Sequence, residues 1–129
     1  MKPWIWLDAD DALAIHDRSL VLHGGGAGVR DEGLLQSALA RPQQLAAYGE
    51  EVDIIKLAAS YTAGIVQNHP FIDGNKRTGF ILGVLFLELN GGIFTASEED
   101  AANAALQLAA GELDEAGYDV FLRANTAKA

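Results

Sequence analysis

Apolar residues recur every three or four positions through most of the chain, which is the period of an α-helix, and no alternating run is long enough for a sheet. Alanine is abundant and β-branched residues are sparse, which also favours helices. The first predicted helix follows a brief extended segment over 4–7. Asp8 caps this helix, and the glycines 24–26 end it. This helix carries, at helical spacing, Leu13, His16, Leu20 and His23. The pattern therefore predicts an all-α fold.

A second helix is predicted over 32–40. Asp31 can cap its start, and the dipeptide Arg41-Pro42 ends it, because the residue before a proline disfavours helical geometry. From Pro42 to Asp53 the pattern is polar and irregular. This stretch is therefore expected to form a surface loop or flap.

Four more helices are predicted after that loop. The third runs from Val52 to about His69, and the fourth occupies about 75–90. The fourth helix is apolar almost all round, so it belongs at the centre of the fold. Gly83 within it indicates close approach of another helix. The fifth and sixth helices are predicted over 98–110 and 114–125, which gives about six helices around a buried central one.

Composition narrows the class of protein. The 129 residues, of which 50% are apolar, suit one domain over 1–129. The absence of cysteine excludes disulfides and thiol catalysis. A formal charge of −9 disfavours direct binding to nucleic acid. The N-terminus does not resemble a secretory signal, and the apolar run 79–89 is too short to cross a bilayer. We therefore expect a cytoplasmic protein that does not enter a membrane.

Candidate chemistry is concentrated in the segment 68–78. His69 ends the third helix and can accept a proton from a substrate hydroxyl. Asp73 supplies a hard oxygen ligand for Mg²⁺ or a second proton-handling group. The run Gly74-Asn75-Lys76 opens the fourth helix, where free backbone N–H groups and the helix dipole favour an anion. Phosphoryl or nucleotidyl transfer requires such a combination of groups.

Two cations strengthen this interpretation. Lys76 and Arg77 are two of only nine cationic residues, yet they lie where a helix is predicted to begin. Positive charge there opposes the helix dipole at a cost of about a few tenths of a kcal/mol, so the pair favours an anionic ligand. Taken singly, each residue of the segment is more often a cap, a turn or a solvated surface residue. Their joint spacing is what favours function.

The run from His69 to Arg77 resembles the signature of the Fic/Doc (Fido) superfamily, His-Pro-Phe-x-Asp/Glu-Gly-Asn-x-Arg. The likeness extends towards the N-terminus, where Ile15-His16-Asp17, the glycine run with Val29-Arg30-Asp31, and the segment 34–43 resemble death-on-curing (Doc) toxins. The resemblance covers nearly the whole chain. It implies a compact, Fido-type helical bundle.

Two positions separate the branches of this superfamily. Most Fic proteins, which transfer AMP to a target hydroxyl, have Gly where this chain has Lys76 and a second Arg where it has Phe80. Doc-like members carry the Lys, and the resemblance implies that the nucleotide is then held in the reverse sense, with its γ-phosphate towards the hydroxyl. A lysine side chain fills the space that glycine leaves open and offers charge instead. The resemblance therefore favours a protein kinase, with an AMP transferase as the alternative.

The resemblance also assigns roles to individual residues. His69 is expected to be the general base, and Asp73 to bind Mg²⁺ or orient the nucleophile. The phosphates of ATP are expected to be held by Gly74, Asn75, Lys76 and Arg77. The two cations also stabilise charge that develops during transfer. Phe71 is expected to point into the core and anchor the loop.

Partners are implied by the same resemblance. The expected target is elongation factor Tu, whose modification would arrest translation. Many Fic proteins inhibit themselves through a Ser/Thr-x-x-x-Glu helix that meets the second Arg, but the segment 97–101 does not fit that pattern. Control by a Phd-type antitoxin is expected instead, bound in an apolar groove between helices. A remaining alternative is a non-catalytic module that binds a nucleotide or a partner protein at the anion site.

Three weaker features are expected to be mainly structural. His16 and His23 share a helix face, but no third ligand can be placed near them, so packing or exposure is favoured over metal binding. Arg30-Asp31 is expected to form a loop ion pair and a helix cap. The loop 42–53 occupies the place of the family's substrate-positioning flap, where Tyr48 can lie over the site, and an ordinary surface loop fits equally well.

Overall fold

The computed structural model describes residues 4–128, and this part of the chain is predominantly helical. The helices are α1 (Ala9–His23), α2 (Glu32–Tyr48), α3 (Ile54–Asn68), α4 (Asn75–Leu89), α5 (Glu98–Ala109) and α6 (Glu115–Ala124). The strands are β1 (Gly92–Phe94) and β2 (Thr126–Lys128). The predicted all-α class with about six helices is confirmed. None of the described helices is both long enough and apolar enough to span a membrane.

Side-chain caps determine where most of these helices begin. The capping residues, whose side chains accept a backbone N–H, are Asp8, Asp31, Asp53, Ser97 and Asp114. α4 differs, because it begins after Gly74 and no side chain caps it. The first backbone N–H groups of a helix have no partner within the helix. Those of α4 are therefore left available to a ligand.

α3 and α4 together form the centre of the fold. Residues 57–66 of α3 are all buried, and α4 packs closely along them. The hydroxyl of Thr62 donates a hydrogen bond of 2.8 Å to the carbonyl oxygen of Gly79. A Cβ atom on Gly83 would lie only 2.3 Å from the Thr62 hydroxyl oxygen. The close approach predicted at Gly83 is confirmed, and α3 shares the central position that was predicted for α4.

The predicted end of α2 is wrong. The helix continues through Pro42 to Tyr48 instead of stopping at residue 40. Proline inside a helix removes one hydrogen bond and costs about 3 kcal/mol, but Pro42 is buried on the same face as Leu35 and Leu39. Burial of this face outweighs the lost bond. Most of the predicted loop is therefore helical, and Tyr48 lies at the helix end with 89% of its surface exposed.

A small antiparallel sheet was not predicted. β1 pairs with β2 in the register Gly92↔Lys128, Ile93↔Ala127 and Phe94↔Thr126. Each strand has three residues, which is too short to show the alternation that identifies a strand in a sequence. The pairing holds the C-terminal segment beside the end of α4.

Candidate active site

His69 ends α3 in a left-handed backbone conformation. Its φ is 54° and its ψ is 52°, a region that costs a non-glycine residue about 1–2 kcal/mol. The backbone N–H of His69 still donates to the carbonyl of Ile65, at 3.0 Å. The turn leaves the imidazole exposed at the surface. Backbone strain of this kind persists only where surrounding contacts maintain it.

Asn75 holds the loop between α3 and α4 from the inside. Its Oδ1 accepts the backbone N–H of Phe71 at 2.9 Å, and its Nδ2 donates to the carbonyl of Phe71, also at 2.9 Å. These two bonds determine the orientation of the amide. The same Nδ2 lies 3.2 Å from Nδ1 of His69, so that ring nitrogen faces a donor and acts as an acceptor.

The buried amide of Asn75 therefore serves to position His69. Only 4% of Asn75 is exposed, and its side chain already has partners in Phe71 and His69. The expected contact between Asn75 and nucleotide phosphates stays a prediction, and it now concerns the backbone N–H of this residue at the start of α4.

Phe71 and His16 lie beneath the loop. Phe71 is fully buried, as predicted, and its ring stacks on that of His16 with centroids 4.0 Å apart and planes 9° apart. His16 is only 1% exposed, and its Nε2 lies 2.8 Å from the carbonyl oxygen of Asp73. A carbonyl oxygen only accepts, so Nε2 carries the proton. Of the two alternatives expected for His16, packing or solvent exposure, the structure shows packing, together with a hydrogen bond that connects α1 to the loop.

The glycine-rich loop after α1 lies against Asp73. The Asp73 carboxylate accepts the backbone N–H of Gly74 at 2.8 Å and that of Gly26 at 3.3 Å. Gly25 has a φ of +120°, and a Cβ atom there would lie 2.8 Å from Asp73 Oδ2. Glycine is therefore needed at this position both for the backbone conformation and for the close approach. The Asp73 side chain itself remains exposed.

The predicted site residues meet in one cleft of about 340 Å³. Its lining consists of His69, Asp73, Gly74, Asn75, Lys76 and Arg77, together with Val66 and Ala109. The first turn of α4 contains no acidic residue, and the side chains of Lys76 and Arg77 are exposed. An anion in this cleft would meet free N–H groups, the positive end of the helix dipole and two cations. The predicted grouping is present, while the chemical role of each residue stays a prediction.

The described residues do not form a metal site built from protein ligands alone. Among residues 4–128 there is no cluster of three or more His, Asp or Glu side chains that could hold an ion. Mg²⁺ is commonly bound through one or two carboxylates plus the phosphates of a substrate. The exposed carboxylate of Asp73 beside the anion site suits Mg²⁺ that arrives with a nucleotide.

The sequence interpretation did not include Arg30 in the site. Its Nε donates to the carbonyl of His69 at 2.8 Å, and its Nη2 donates to the carbonyl of Asn68 at 3.0 Å. The expected ion pair with Asp31 is wrong, because the Arg30 guanidinium binds these carbonyls, whereas the expected cap of α2 by Asp31 is confirmed. The adjacent residues thus cap two different helices. The cap of α2 could be predicted from neighbouring residues. The partners of Arg30 could not, because they lie 38 and 39 residues away along the chain.

Comparison with known proteins agrees with this geometry. The Fic/DOC family matches residues 6–87, a range that contains the glycine-rich loop, every residue of the cleft lining except Ala109, and nearly all of α4. The chain belongs to the Fic/DOC family.

Two curated relatives of this Fic/DOC protein are Doc proteins. "Protein kinase doc" of Escherichia phage P1 is 30% identical over 117 residues, which are 91% of this chain and 92% of the relative. "Toxin Doc" of Mycolicibacterium smegmatis is 38% identical over 88 residues, which are 67% of this chain and 65% of the relative. Within the Fic/DOC family, the chain is therefore similar to Doc proteins.

A second cavity, of about 810 Å³, shares Lys76 and Arg77 with the cleft. We call it the α4–α5 groove, and its apolar walls include Phe80, Ile81, Val84, Phe94, Ala105 and Leu106. The Phe80 ring packs edge-on against that of Phe94, with centroids 5.6 Å apart. The position at which most Fic proteins carry a second Arg is therefore part of an apolar wall in this member of the family.

Proposed function

We propose that this protein is a Doc-like toxin that acts as a protein kinase. It transfers the γ-phosphoryl group of ATP to a Ser or Thr hydroxyl of a translation factor and so arrests translation. The observation that carries this proposal is the uncapped start of α4, where Lys76 and Arg77 share one cleft with His69. The two relatives, of which one is named a protein kinase and the other a toxin, support it. Elongation factor Tu is the proposed target, as the family resemblance implies.

The proposed reaction needs a proton acceptor at the target hydroxyl. His69 takes the hydroxyl proton while the hydroxyl oxygen bonds to the γ-phosphorus. The bond from that phosphorus to its bridging oxygen breaks, and ADP leaves. The distance from Asn75 to Nδ1 of His69 is 3.2 Å, at the long end for a hydrogen bond. Nδ1 of His69 can therefore release Asn75 when it accepts the hydroxyl proton.

Charge stabilisation is the second requirement. The phosphoryl oxygens carry most of the negative charge during transfer. Lys76, Arg77 and the free N–H groups of α4 lie around the cleft, where fixed donors stabilise such charge most effectively. Asp73 would hold Mg²⁺ beside them, and the hydrogen bonds from Gly26 and Gly74 keep its carboxylate in place. When it is bound, Mg²⁺ neutralises part of the phosphate charge.

Two side chains favour the kinase over an AMP transferase. Lys76 fills the space that glycine would leave for close approach of a phosphate to the backbone. Phe80 places a phenyl ring against Phe94 where AMP transfer would use a second Arg. A cation for the α-phosphate is therefore missing from that wall of the groove.

The deciding experiment follows the label from ATP. Purified protein is incubated with elongation factor Tu, Mg²⁺ and ATP labelled on either the α- or the γ-phosphate. His69→Ala is the inactive variant, and Arg18→Ala is the control, since Arg18 is an exposed residue of α1 that lines neither the cleft nor the α4–α5 groove. We expect label from the γ-phosphate only, which is lost in His69→Ala and retained in Arg18→Ala.

Other outcomes of this experiment have definite meanings. Label from the α-phosphate would make the protein an AMP transferase. Absence of label from both donors, in elongation factor Tu and in a whole lysate, would leave a non-catalytic binding module. Full transfer by His69→Ala would remove this residue from the proposed role of base.

We also propose that a Phd-type antitoxin controls the toxin in the cytoplasm by binding the α4–α5 groove. The groove is large and mostly apolar, and it reaches the phosphate-binding cations at Lys76 and Arg77. A helix seated there would block the cleft from one side. The test is rescue of growth by the co-expressed antitoxin. Leu106→Glu in the groove should abolish the rescue, whereas Val120→Glu on the exposed face of α6 should not.

A further inference from the structure

Arg30 and its neighbour bind three successive carbonyls at the end of α3. The guanidinium donates to the carbonyls of Asn68 and His69. The backbone N–H groups of Arg30 and Asp31 both donate to the carbonyl of Pro70, at 2.6 and 3.1 Å. The chain is thus held on both sides of the strained residue His69.

The last turn of α3 needs such a partner. The final carbonyls of a helix have no donor within the helix and carry partial negative charge. The last turn of α3 contains no basic residue of its own. Arg30 supplies the cation from the loop after α1, and its planar, forked donors suit two adjacent carbonyls.

The two residues before Arg30 also bind the segment between α3 and α4. Val29 and Phe71 form an isolated antiparallel bridge, and the backbone N–H of Ile72 donates to the carbonyl of Gly28 at 3.1 Å. These main-chain contacts place the backbone of Arg30 beside the segment between α3 and α4. Its guanidinium therefore reaches the backbone of His69 with little freedom of its own.

We propose that Arg30 is a positioning residue for the phosphoryl transfer, which rests on the function proposed above. It fixes the direction in which His69 leaves α3, and so aims the imidazole at a hydroxyl over the phosphate-binding start of α4. Arg30 is absent from the lining of the cleft. Its loss should therefore affect the chemical step and leave ATP binding unchanged.

The kinetic test compares Arg30→Ala, Arg30→Lys and the matched control Arg18→Ala. Arg18 is an exposed residue of α1 with the same charge. We expect Arg30→Ala to lower kcat by about 10- to 100-fold, since misplacement of a catalytic group by about 1 Å can cost 100-fold. The dissociation constant and KM for ATP should stay within about twofold, because the α4 cradle is intact. Arg30→Lys keeps one charged donor and should recover much of kcat, and Arg18→Ala should match the wild type.

The second arm does not depend on activity. The ring resonances of His69 and His16 are followed by NMR in the same variants. We expect Arg30→Ala to shift or broaden the His69 signals, while those of His16, buried 2.8 Å from the Asp73 carbonyl, stay in place. Changes in both histidines would indicate general loosening of the fold and would overturn the proposal.

Further outcomes would contradict the positioning role of Arg30 or the function on which it rests. An unchanged kcat in Arg30→Ala, or unchanged His69 resonances, would overturn the positioning role. Weaker ATP binding in Arg30→Ala would make Arg30 a phosphate ligand instead. If the wild type transfers no label to any target, the proposed function fails by itself, and the His69 resonances still test whether Arg30 sets the orientation of the ring.

Discussion

The Nε2 atom of His16 lies 2.8 Å from the backbone carbonyl oxygen of Asp73, across 57 residues of sequence. The same imidazole stacks on Phe71, so one buried side chain contacts two residues of the loop between α3 and α4. α1 therefore supports the loop between α3 and α4 through His16. It supplies a donor and a flat surface on which the loop after His69 rests.

We predict that His16→Ala lowers the free energy of unfolding by about 2–4 kcal/mol, because it removes a buried ring and leaves the Asp73 carbonyl without its donor. His16→Phe should keep most of the stacking and recover part of that loss, yet phosphoryl transfer should remain impaired. Urea unfolding and the transfer assay measure the two effects. His23→Ala, on the exposed end of α1, should change stability by less than about 0.5 kcal/mol. Equal stability of the two alanine variants would contradict the role of His16.

Lys76→Ala should weaken ATP binding by about tenfold or more, since a charged hydrogen bond contributes about 1.5–3 kcal/mol. The effect should shrink as salt is added, because the side chain is exposed. Calorimetry with a non-hydrolysable ATP analogue measures both. Lys56→Ala removes the same charge near the start of α3, where the Lys56 ammonium contacts the carbonyl of Glu50. If the two variants bind the analogue equally well, Lys76 does not contact the nucleotide.

Asp53 is predicted to make the fold sensitive to acid. Partial burial raises the pKa of its carboxyl, but hydrogen bonds from Arg123 and from the Lys56 N–H outweigh that effect and lower the pKa below its ordinary value of 3.8. A lowered pKa gives stability that is present above the unfolded value and lost as the pH falls through the folded value. Asp53→Asn keeps the helix cap but cannot ionise.

The measurement for Asp53 is the difference in unfolding free energy between the wild type and Asp53→Asn. This difference should be no more than about 1 kcal/mol at pH 7, since the Asp53–Arg123 pair is about half exposed. It should stay constant down to about pH 5 and decline below about pH 4. A difference that persists at pH 2 would show that ionisation of Asp53 is not its source.

Gly83→Ala is predicted to destabilise the protein by about 1–3 kcal/mol, although alanine is the better helix former. The new methyl group would meet the hydroxyl oxygen of Thr62 and the carbonyl oxygen of Ala58, at 2.3 and 2.9 Å. α3 and α4 would have to move apart. Gly33→Ala in α2 is the control, because its nearest contact is the side chain of Asp31, at 3.3 Å. The changes in Tm that the two substitutions cause should differ in sign or by several degrees. Equal changes in Tm would contradict the tight packing of α3 against α4.

Most helix boundaries could be predicted because their signals are local. Asp8, Ser97 and Asp114 each accept a backbone N–H three residues ahead, so the cap and its partner lie within one turn. The end of α1 is marked by glycine for the same reason. These contacts need no information from the rest of the chain.

The course of α2 and the pairing of β1 with β2 could not be predicted in this way. Pro42 normally breaks a helix, and only the burial of its ring with Leu39 against the core reverses that preference. The strands are too short to be recognised, and each exists only because the other lies beside it. In both cases tertiary contacts outweigh the local preference.

The sequence by itself determined the motif from His69 to Arg77, the family to which the chain belongs, and the placement of Lys76 and Arg77 at the start of a helix. These features depend on neighbouring residues and on the period of the helix. Only the tertiary structure decided that His16 supports Asp73 and that Arg30 holds His69, because these partners lie 57 and 39 residues apart along the chain. Their contacts arise from the packing of α1 and its glycine-rich loop against the segment between α3 and α4, which no local pattern specifies.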